Sequence, residues 1–195
     1  GLLSSGSYLK GVYIYGIKPN YEESISSIHN HFIEGSINTL KEDNYNLVIG
    51  DILAIQLGLR LGDTVNILVP EATLGLAGIL PRTKKFKITG IFSLGAPEID
   101  QSHVYLNSDN ASKLLRTGEY VHGIRIRYSN LFKSKDNMKV DLMRINKEFD
   151  ANYKASTWET NYGTLFEAIQ MERFLVAFML MTLVLVSSYN LMSML

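Results

Sequence analysis

Cysteine is absent from this chain of 195 residues. Its absence excludes disulfide bonds, thiolate nucleophiles and thiolate metal ligands, and it is compatible with either a reducing or an oxidising compartment. Net charge is absent too, because 19 basic side chains balance 19 acidic ones. Since no field of one sign surrounds the whole chain, the composition predicts no nucleic-acid partner.

Sequence signals for chemistry are also missing. The chain has no phosphate-binding loop, dinucleotide glycine fingerprint, zinc-binding histidine pair or nucleophile elbow. Its four histidines are scattered. The close carboxylates Glu22 with Glu23, and Glu98 with Asp100, lie in polar, turn-like surroundings that favour solvated groups over a catalytic dyad. We therefore predict a protein that is not an enzyme and has no catalytic, cofactor-binding or metal site.

One long apolar run stands near the C-terminus. Phe174–Leu195 contains no charged side chain, and as a helix it would extend roughly 33 Å, enough to cross a bilayer. Thr182 and Asn190 are types that membrane helices tolerate, because they hydrogen-bond a neighbouring helix or their own backbone. A buried core helix is the alternative, but it seldom runs this long without a charge. The run predicts a transmembrane helix.

Upstream of the apolar run, the pattern predicts an α+β domain. Tyr8–Ile17 is rich in aromatic and β-branched residues, which favours a strand. Asn46–Pro70 predicts a strand, a helix, a turn and a second strand, with Asp51 capping the helix and Gly58 ending it in the left-handed conformation. The inward face of that helix is predicted to comprise Ile52, Ile55 and Gln56.

The second half of the chain continues the α+β pattern. Its predicted elements are a strand at Ser102–Leu106, a capped helix at Ser108–Arg116, a strand at Val121–Tyr128, a helix at about Lys135–Phe149 and a strand at Tyr153–Thr157. The strand at Val121–Tyr128 is expected to turn Arg125 and Arg127 to solvent. Thr160–Arg173 then leads toward the apolar run without a break, which predicts a stalk helix.

The segment between Pro70 and Pro81 is more apolar than an ordinary surface loop. Because strands are predicted over 64–69 and 84–93, we interpret the segment as a long hairpin with an apolar tip. A loop folded back over the core is the alternative. Basic side chains follow the tip in the sequence, at Arg82, Lys84, Lys85 and Lys87. They either meet an acidic partner surface or protect an exposed edge strand from aggregation.

Four stretches of sequence together point to one family: GDILAIQLGLRLGDTVNILVP, GILPRTKKFKI, TGIFSLGAPEID and WETNYGTLFEAIQMERF. In this order they resemble the LolC/LolE family, the lipoprotein-releasing membrane subunits of an ABC transporter, over nearly the whole chain. The first stretch alone is shared with MacB-like and FtsX-like domains. The resemblance implies an α+β, MacB-like periplasmic domain with mixed and antiparallel sheets, a projecting β-hairpin hook and a subsequent transmembrane helix.

The resemblance divides the chain into three parts. It implies a periplasmic core domain over 1–158, with its N-terminal part missing and its hook at 70–82. A stalk helix over 159–173 comes next, and then the start of a second transmembrane helix over 174–195. Family members carry this domain between their first two membrane helices, so the chain is expected to begin after the first. The implied location is the bacterial inner (cytoplasmic) membrane, with the domain facing the periplasm.

The resemblance also implies a function and its partners. Such subunits extract lipoproteins from the inner membrane, while a separate LolD-like ATPase subunit hydrolyses ATP. The other implied partners are a second membrane subunit, either LolE-like or a second copy, and a LolA-like periplasmic chaperone that the hook of LolC-like members recruits. The implied contacts with that chaperone are Leu74, Leu76, Ala77, Ile79, Pro81, Arg82, Thr83 and Lys84.

Other functions remain open at this point. A MacB-like efflux subunit or an FtsX-like regulatory subunit would share the domain, and an adhesin or membrane-anchored structural module would share the lack of catalytic motifs. LolE-like subunits lack the hook, whereas the apolar segment over 69–81 matches the LolC pattern. That segment is one residue shorter than the usual hook, and Ala77 stands where a proline is common.

Overall fold

The computed structural model describes residues 1–6, 8–42, 44–75, 78–130, 134–150 and 152–194; for 71–75, 78–81, 158–162, 164–166 and 194 it describes the backbone alone. The chain divides into two compact units, Gly1–Arg127 and Tyr128–Leu195. Leu76 and Ala77, which belong to the predicted contact set, lie outside the described residues.

The described part of the first unit contains one mixed sheet. Its strands are β1 (Leu2–Ser5), β2 (Tyr8–Gly11), β3 (Tyr13–Ile17), β4 (Phe32–Gly35), β5 (Asn46–Gly50), β6 (Thr64–Gly75), β7 (Gly78–Phe92) and β8 (His103–Asn107). Their order is β2-β1-β6-β7-β5-β8-β3, and β4 pairs with the end of β7. The pairs β3–β8 and β5–β7 are parallel, and the others are antiparallel. The prediction of an α+β fold with a mixed sheet is confirmed.

Short helices accompany this sheet, and longer ones form the second unit. The helices of the first unit are α1 (Pro19–Ile25), α2 (Asp51–Leu57), α3 (Pro97–Asp100) and α4 (Ser108–Leu115). Single turns of 3₁₀ helix lie at Ile28–Asn30 and Ile37–Thr39. The second unit contains α5 (Ser134–Glu148), which confirms the helix predicted there, and α6 (Trp158–Met194).

The sheet curls back on itself through one extended segment. β2 and β3 are separated only by Val12, yet they lie at opposite ends of the strand order. The Val12 N–H donates to the Gly1 carbonyl at 2.9 Å, and the Gly1 nitrogen donates to the Val12 carbonyl at 2.8 Å. The first half of the segment therefore pairs with β1 and the second half with β8, which closes the curl and confirms that 8–17 is extended.

Apolar side chains pack on both faces of the sheet. In β5, Leu47 and Ile49 belong to the larger cluster and Val48 to the smaller one, as the alternation of side chains along a strand requires. The larger cluster also receives Val65 and Ile67 from β6 and residues of β7, α2 and α4. Burial on both faces makes β5 and the adjoining part of β7 the centre of the domain.

The helix α2 differs from its prediction at one end and on one face. Gly50 is its N-cap, and Asp51 is its first helical residue, with a carboxylate that accepts from the Ile52 N–H at 2.6 Å. Gly58 ends the helix with a φ of 62°, as predicted. The buried residues are Leu53, Ala54 and Leu57. The predicted inward face is wrong, since Ile55 is 79% exposed. The helix instead packs on the sheet through the adjacent row of residues, 53, 54 and 57.

The strand predicted at Val121–Tyr128 does not form, since those residues are irregular. The Arg125 guanidinium makes hydrogen bonds of 2.9 and 2.8 Å to the two carboxylate oxygens of Glu22, which is only 4% exposed. A buried carboxylate requires such a partner. The ion pair engages the arginine, half of whose side chain stays exposed. Ile124 is 84% exposed and Ile126 55%, so the predicted apolar face is not buried.

The second unit holds the helix of membrane-spanning length. Glu167–Ser193, within α6, is long and apolar enough to cross a membrane by length and composition. The Thr182 hydroxyl lies within hydrogen-bond distance of the Phe178 and Met179 carbonyls, so this polar group needs no external partner. The strand predicted at Tyr153–Thr157 is absent, because the Asn146 side chain satisfies both backbone groups of Tyr153.

The glycine at the junction of β5 and α2 gives a test of this packing. A Cβ at Gly50 would overlap the backbone of Asp100, whose carboxylate is held by the N–H groups of Leu94 and Ala96. We expect Gly50→Ala to destabilise the domain by about 1–3 kcal/mol, the usual range for overpacking, as measured by thermal unfolding of the full chain in detergent. The control is Gly11→Ala, because nothing lies within 4 Å of its new Cβ. Equal melting temperatures for the two variants would contradict the packing described.

Candidate functional site

The hairpin formed by β6 and β7 extends beyond the rest of the sheet. β1 pairs with β6 as far as Leu68, and β5 and β4 pair with β7 from Lys87 onward. Past these points, the only ladder in the described residues joins β6 to β7, and it continues to the pair of Gly75 with Gly78. The predicted strands on both sides of the apolar segment therefore meet as one antiparallel hairpin.

The ladder of this hairpin is interrupted at its base. Val69 pairs with Arg82, and the next regular pair is Thr73 with Leu80. Residues 70–72 of one strand therefore face the single residue Pro81 of the other. Proline has no N–H to donate to a ladder, and both strands carry one here, at positions 70 and 81. The hairpin thus has a proximal part that belongs to the sheet and a distal part, 73–80, beyond the interruption.

The predicted contact residues are distributed over both parts. Leu74 and Ile79 pair with one another in the distal ladder, and Pro81 lies at the interruption. Arg82, Thr83 and Lys84 lie on the proximal part of β7, opposite β6. The structure brings the distal and proximal members onto one hairpin but separates them at the break in its ladder.

The three proximal residues do not share a face of the sheet. Arg82 pairs with the buried Val69, and Lys84 pairs with the buried Ile67, so these two basic side chains are on the core side of the ladder. Thr83 alternates to the opposite side and is exposed. The basic side chains C-terminal to the tip therefore do not form one continuous patch.

Both basic residues on the core side have partners within the domain. The Arg82 guanidinium donates to the Leu115 carbonyl at 3.0 Å, at the C-terminal end of α4. The Lys84 ammonium lies 4.0 Å from the centroid of the Tyr45 ring, a cation–π distance. The sequence did not predict Leu115 or Tyr45 as partners, because neither residue type nor spacing signals a contact between such distant segments.

A second group of side chains lies where β3 meets β8. The rings of Tyr15 and His103 stack with centroids 5.0 Å apart, and Tyr13 packs on the same histidine at 5.5 Å. Burial lowers the pKa of His103 below its ordinary value, so the ring is uncharged at neutral pH and stacks as an aromatic group. Burial also raises the pKa of the neighbouring Tyr105 to about 12.

The acidic and histidine side chains of the described residues do not assemble into a metal-binding group. Among the described residues, no set of three or more His, Cys, Asp or Glu side chains is placed to hold a metal ion. The hairpin of β6 and β7 is therefore the candidate site for binding a partner. The class is thus an α+β protein with a two-stranded extension and one helix long and apolar enough to cross a membrane.

Comparison with known proteins gives lipoprotein-releasing system transmembrane proteins, although no protein-family profile matches the chain. The lipoprotein-releasing system transmembrane protein LolC of Xylella fastidiosa is 29% identical over 91% of this chain and 42% of its own length. LolC of Buchnera aphidicola is 31% identical over the same shares, 91% and 42%. LolE of Haemophilus influenzae is 23% identical over 98% of this chain and 45% of its own.

These relatives are all lipoprotein-releasing system transmembrane proteins. The comparisons support the LolC/LolE family of lipoprotein-releasing system transmembrane proteins for this chain, as the sequence stretches predicted. The chain spans less than half the length of the relatives it matches.

The register of the distal hairpin is open to a direct test, because the chain has no native cysteine. Directly opposed residues of an antiparallel pair have Cβ atoms close enough for a disulfide. We expect the double variant Thr73→Cys, Leu80→Cys to form an intramolecular disulfide under mild oxidation, measured as loss of free thiols. In the control Thr73→Cys, Ile79→Cys, a one-residue offset places the Cβ atoms on opposite faces. Efficient closure of the control instead would show that the register is different.

Proposed function

We propose that this chain is part of a LolC-like membrane subunit that extracts lipoproteins from the inner membrane and passes them to a periplasmic chaperone recruited by the β6–β7 hairpin. The observation that carries the proposal is the two-stranded extension of the hairpin past the last pairing with any other described strand. In the sequence it occupies the position that the family resemblance assigns to the hook.

The names of the relatives support the choice of transport process. Relatives of two kinds match: the LolC proteins are 23–31% identical to this chain, and a LolE protein is 23% identical. The apolar segment at 69–81 also matches the LolC pattern rather than that of LolE-like subunits. A LolC-like subunit is therefore the more specific proposal.

The composition of the distal hairpin supports recruitment of a partner with an apolar surface. Its large apolar residues are Leu74, Leu76, Ile79 and Leu80. Each side chain of this kind contributes roughly 1.5–3 kcal/mol when fully buried, before ordering and association costs are subtracted. Two or three anchors are enough for a transient complex, which a carrier that must leave with its cargo requires. Thr83 and Lys84, at the base, complete the proposed contact surface.

The second unit supports the role of a membrane subunit. α6 continues from Trp158 to Met194 and includes the stretch of membrane-spanning length. We propose that its first part is the stalk, that its apolar part lies in the inner membrane and that the α+β domain faces the periplasm. ATP hydrolysis is assigned to a separate LolD-like subunit, and the pair of membrane subunits consists of this protein with a LolE-like partner or a second copy.

Site-specific photo-crosslinking in cells tests the recruitment. A photoreactive amino acid at Leu76 of the full-length protein is expected to yield an adduct with a small soluble periplasmic protein, because Leu76 belongs to the proposed contact set. Glu119, an exposed residue remote from the hairpin in sequence, is the matched control and is expected to give no such adduct. Mass spectrometry of the adduct identifies the partner.

The opposite result distinguishes the competing functions. If positions 74, 76 and 79 all fail to give a soluble adduct while the protein is folded and in the membrane, chaperone recruitment is wrong. A membrane-fusion or outer-membrane component captured at these positions would favour a MacB-like efflux subunit. Capture of a peptidoglycan hydrolase would favour an FtsX-like regulatory subunit.

A further inference from the structure

The first residue after the interruption of the hairpin ladder is Arg82, and its side chain is tied to a helix. Its backbone pairs with Val69, which is 6% exposed. Its guanidinium donates to the carbonyl of Leu115 at 3.0 Å. Leu115 is the last residue of α4, and Arg116 after it has a φ of 54°. The carbonyls at a helix C-terminus lack intrahelical partners and carry partial negative charge, so a guanidinium bound there is favourable.

The helix that receives this bond is fixed on the sheet. Ala111 and Leu114 are buried in the larger apolar cluster, and the Asn107 side chain caps the helix by accepting from the Asp109 N–H at 2.8 Å. α4 therefore provides a rigid reference point. Through Arg82, that reference point is connected to the β7 strand of the hairpin at its base.

The connection lies beside the interruption of the hairpin ladder. Between the pairs Val69–Arg82 and Thr73–Leu80, three residues oppose one, and Pro70 and Pro81 have no N–H to donate. An interruption of this kind bends a strand and redirects the residues beyond the bend. The direction in which the distal hairpin leaves the sheet thus depends on how the Val69–Arg82 pair is held. Val69 is held by core packing, and Arg82 is held by the Leu115 carbonyl.

We infer that Arg82 is a positioning residue: it fixes the direction of the distal hairpin by holding the base of β7 to the end of α4. Arg82 was predicted to contact the chaperone directly, and this inference gives it a structural role instead. The expected effect of Arg82 on chaperone capture rests on the proposed function. Arg82 acts on the partner through the hairpin, whereas Thr83, on the opposite face, has no described bond to α4.

Distance measurements between spin labels test the positioning directly. The absence of cysteine allows labels only at introduced sites, here Leu74→Cys on the hairpin and Lys113→Cys on α4, in the full-length protein in lipid nanodiscs. We expect Arg82→Met to make the label distance distribution about twice as broad, because loss of a charge-assisted bond admits conformers that it excluded. Arg82→Lys retains a cation that can donate to the same carbonyl, and is expected to restore most of the narrow distribution.

Two controls separate positioning from general stability. Thr83→Val changes the neighbouring residue on the other face and should leave the distribution unchanged. A reference label pair at Glu23 and Lys113 should also be unchanged in Arg82→Met if the domain is intact. The inference would be overturned if the distance distribution between labels 74 and 113 stays narrow in Arg82→Met. It would also be overturned if the reference distribution between labels 23 and 113 broadens by the same amount.

The failure of positioning can be told from failure of recruitment. In Arg82→Met, crosslinking from Leu76 to the soluble partner is expected to fall severalfold and to recover in Arg82→Lys, in parallel with the distances. If the unaltered protein gives no adduct while the distances respond as described, the proposed recruitment is wrong and the positioning stands. If the adduct forms but Arg82→Met alters neither distances nor yield, recruitment stands and the positioning is wrong.

Discussion

The antiparallel ladder between β6 and β7 supports the other strands of the domain. β1 pairs with β6, and β4 and β5 both pair with β7, so three strands take their register from this one hairpin. Val65 and Phe86 oppose each other on its core side and are almost fully buried. The same two strands that organise the core also carry the extension proposed to meet the partner. Any force on the distal hairpin is therefore applied to the strands at the centre of the fold.

The closure of the sheet complements this central hairpin. A strand at the edge of an open sheet has unpaired backbone groups that invite association with other chains. Here the segment containing β2 and β3 pairs along its first half with β1 and along its second half with β8. The two ends of the strand order are thus parts of one segment, and Val12, buried at the bend, joins them. The curl gives the larger cluster a partly enclosed interior, which a flat sheet of the same strands would not provide.

Local sequence patterns predicted the features that depend on local structure. The alternation of Val65, Ile67 and Val69 correctly indicated the buried face of β6, and the glycine after α2 correctly marked its end. The family was also evident from ordered stretches of sequence. The wrong predictions concern residues whose contacts are with residues far away in the sequence. Arg125 pairs with the buried Glu22, 103 positions earlier, and no window around the arginine contains that information. For the hairpin, sequence identified the segment but not the contact of Arg82 with Leu115, which lies 33 positions later.

The interruption at the two prolines also bears on how this protein can change over evolutionary time. Register in a continuous ladder is transmitted from pair to pair, so inserting one residue at a hairpin tip would shift every subsequent side chain to the other face. Here three residues already oppose one between the sheet and the tip, so a change in length beyond that point need not propagate into the core. The distal hairpin can therefore gain or lose residues and diversify in sequence while the domain that carries it stays the same.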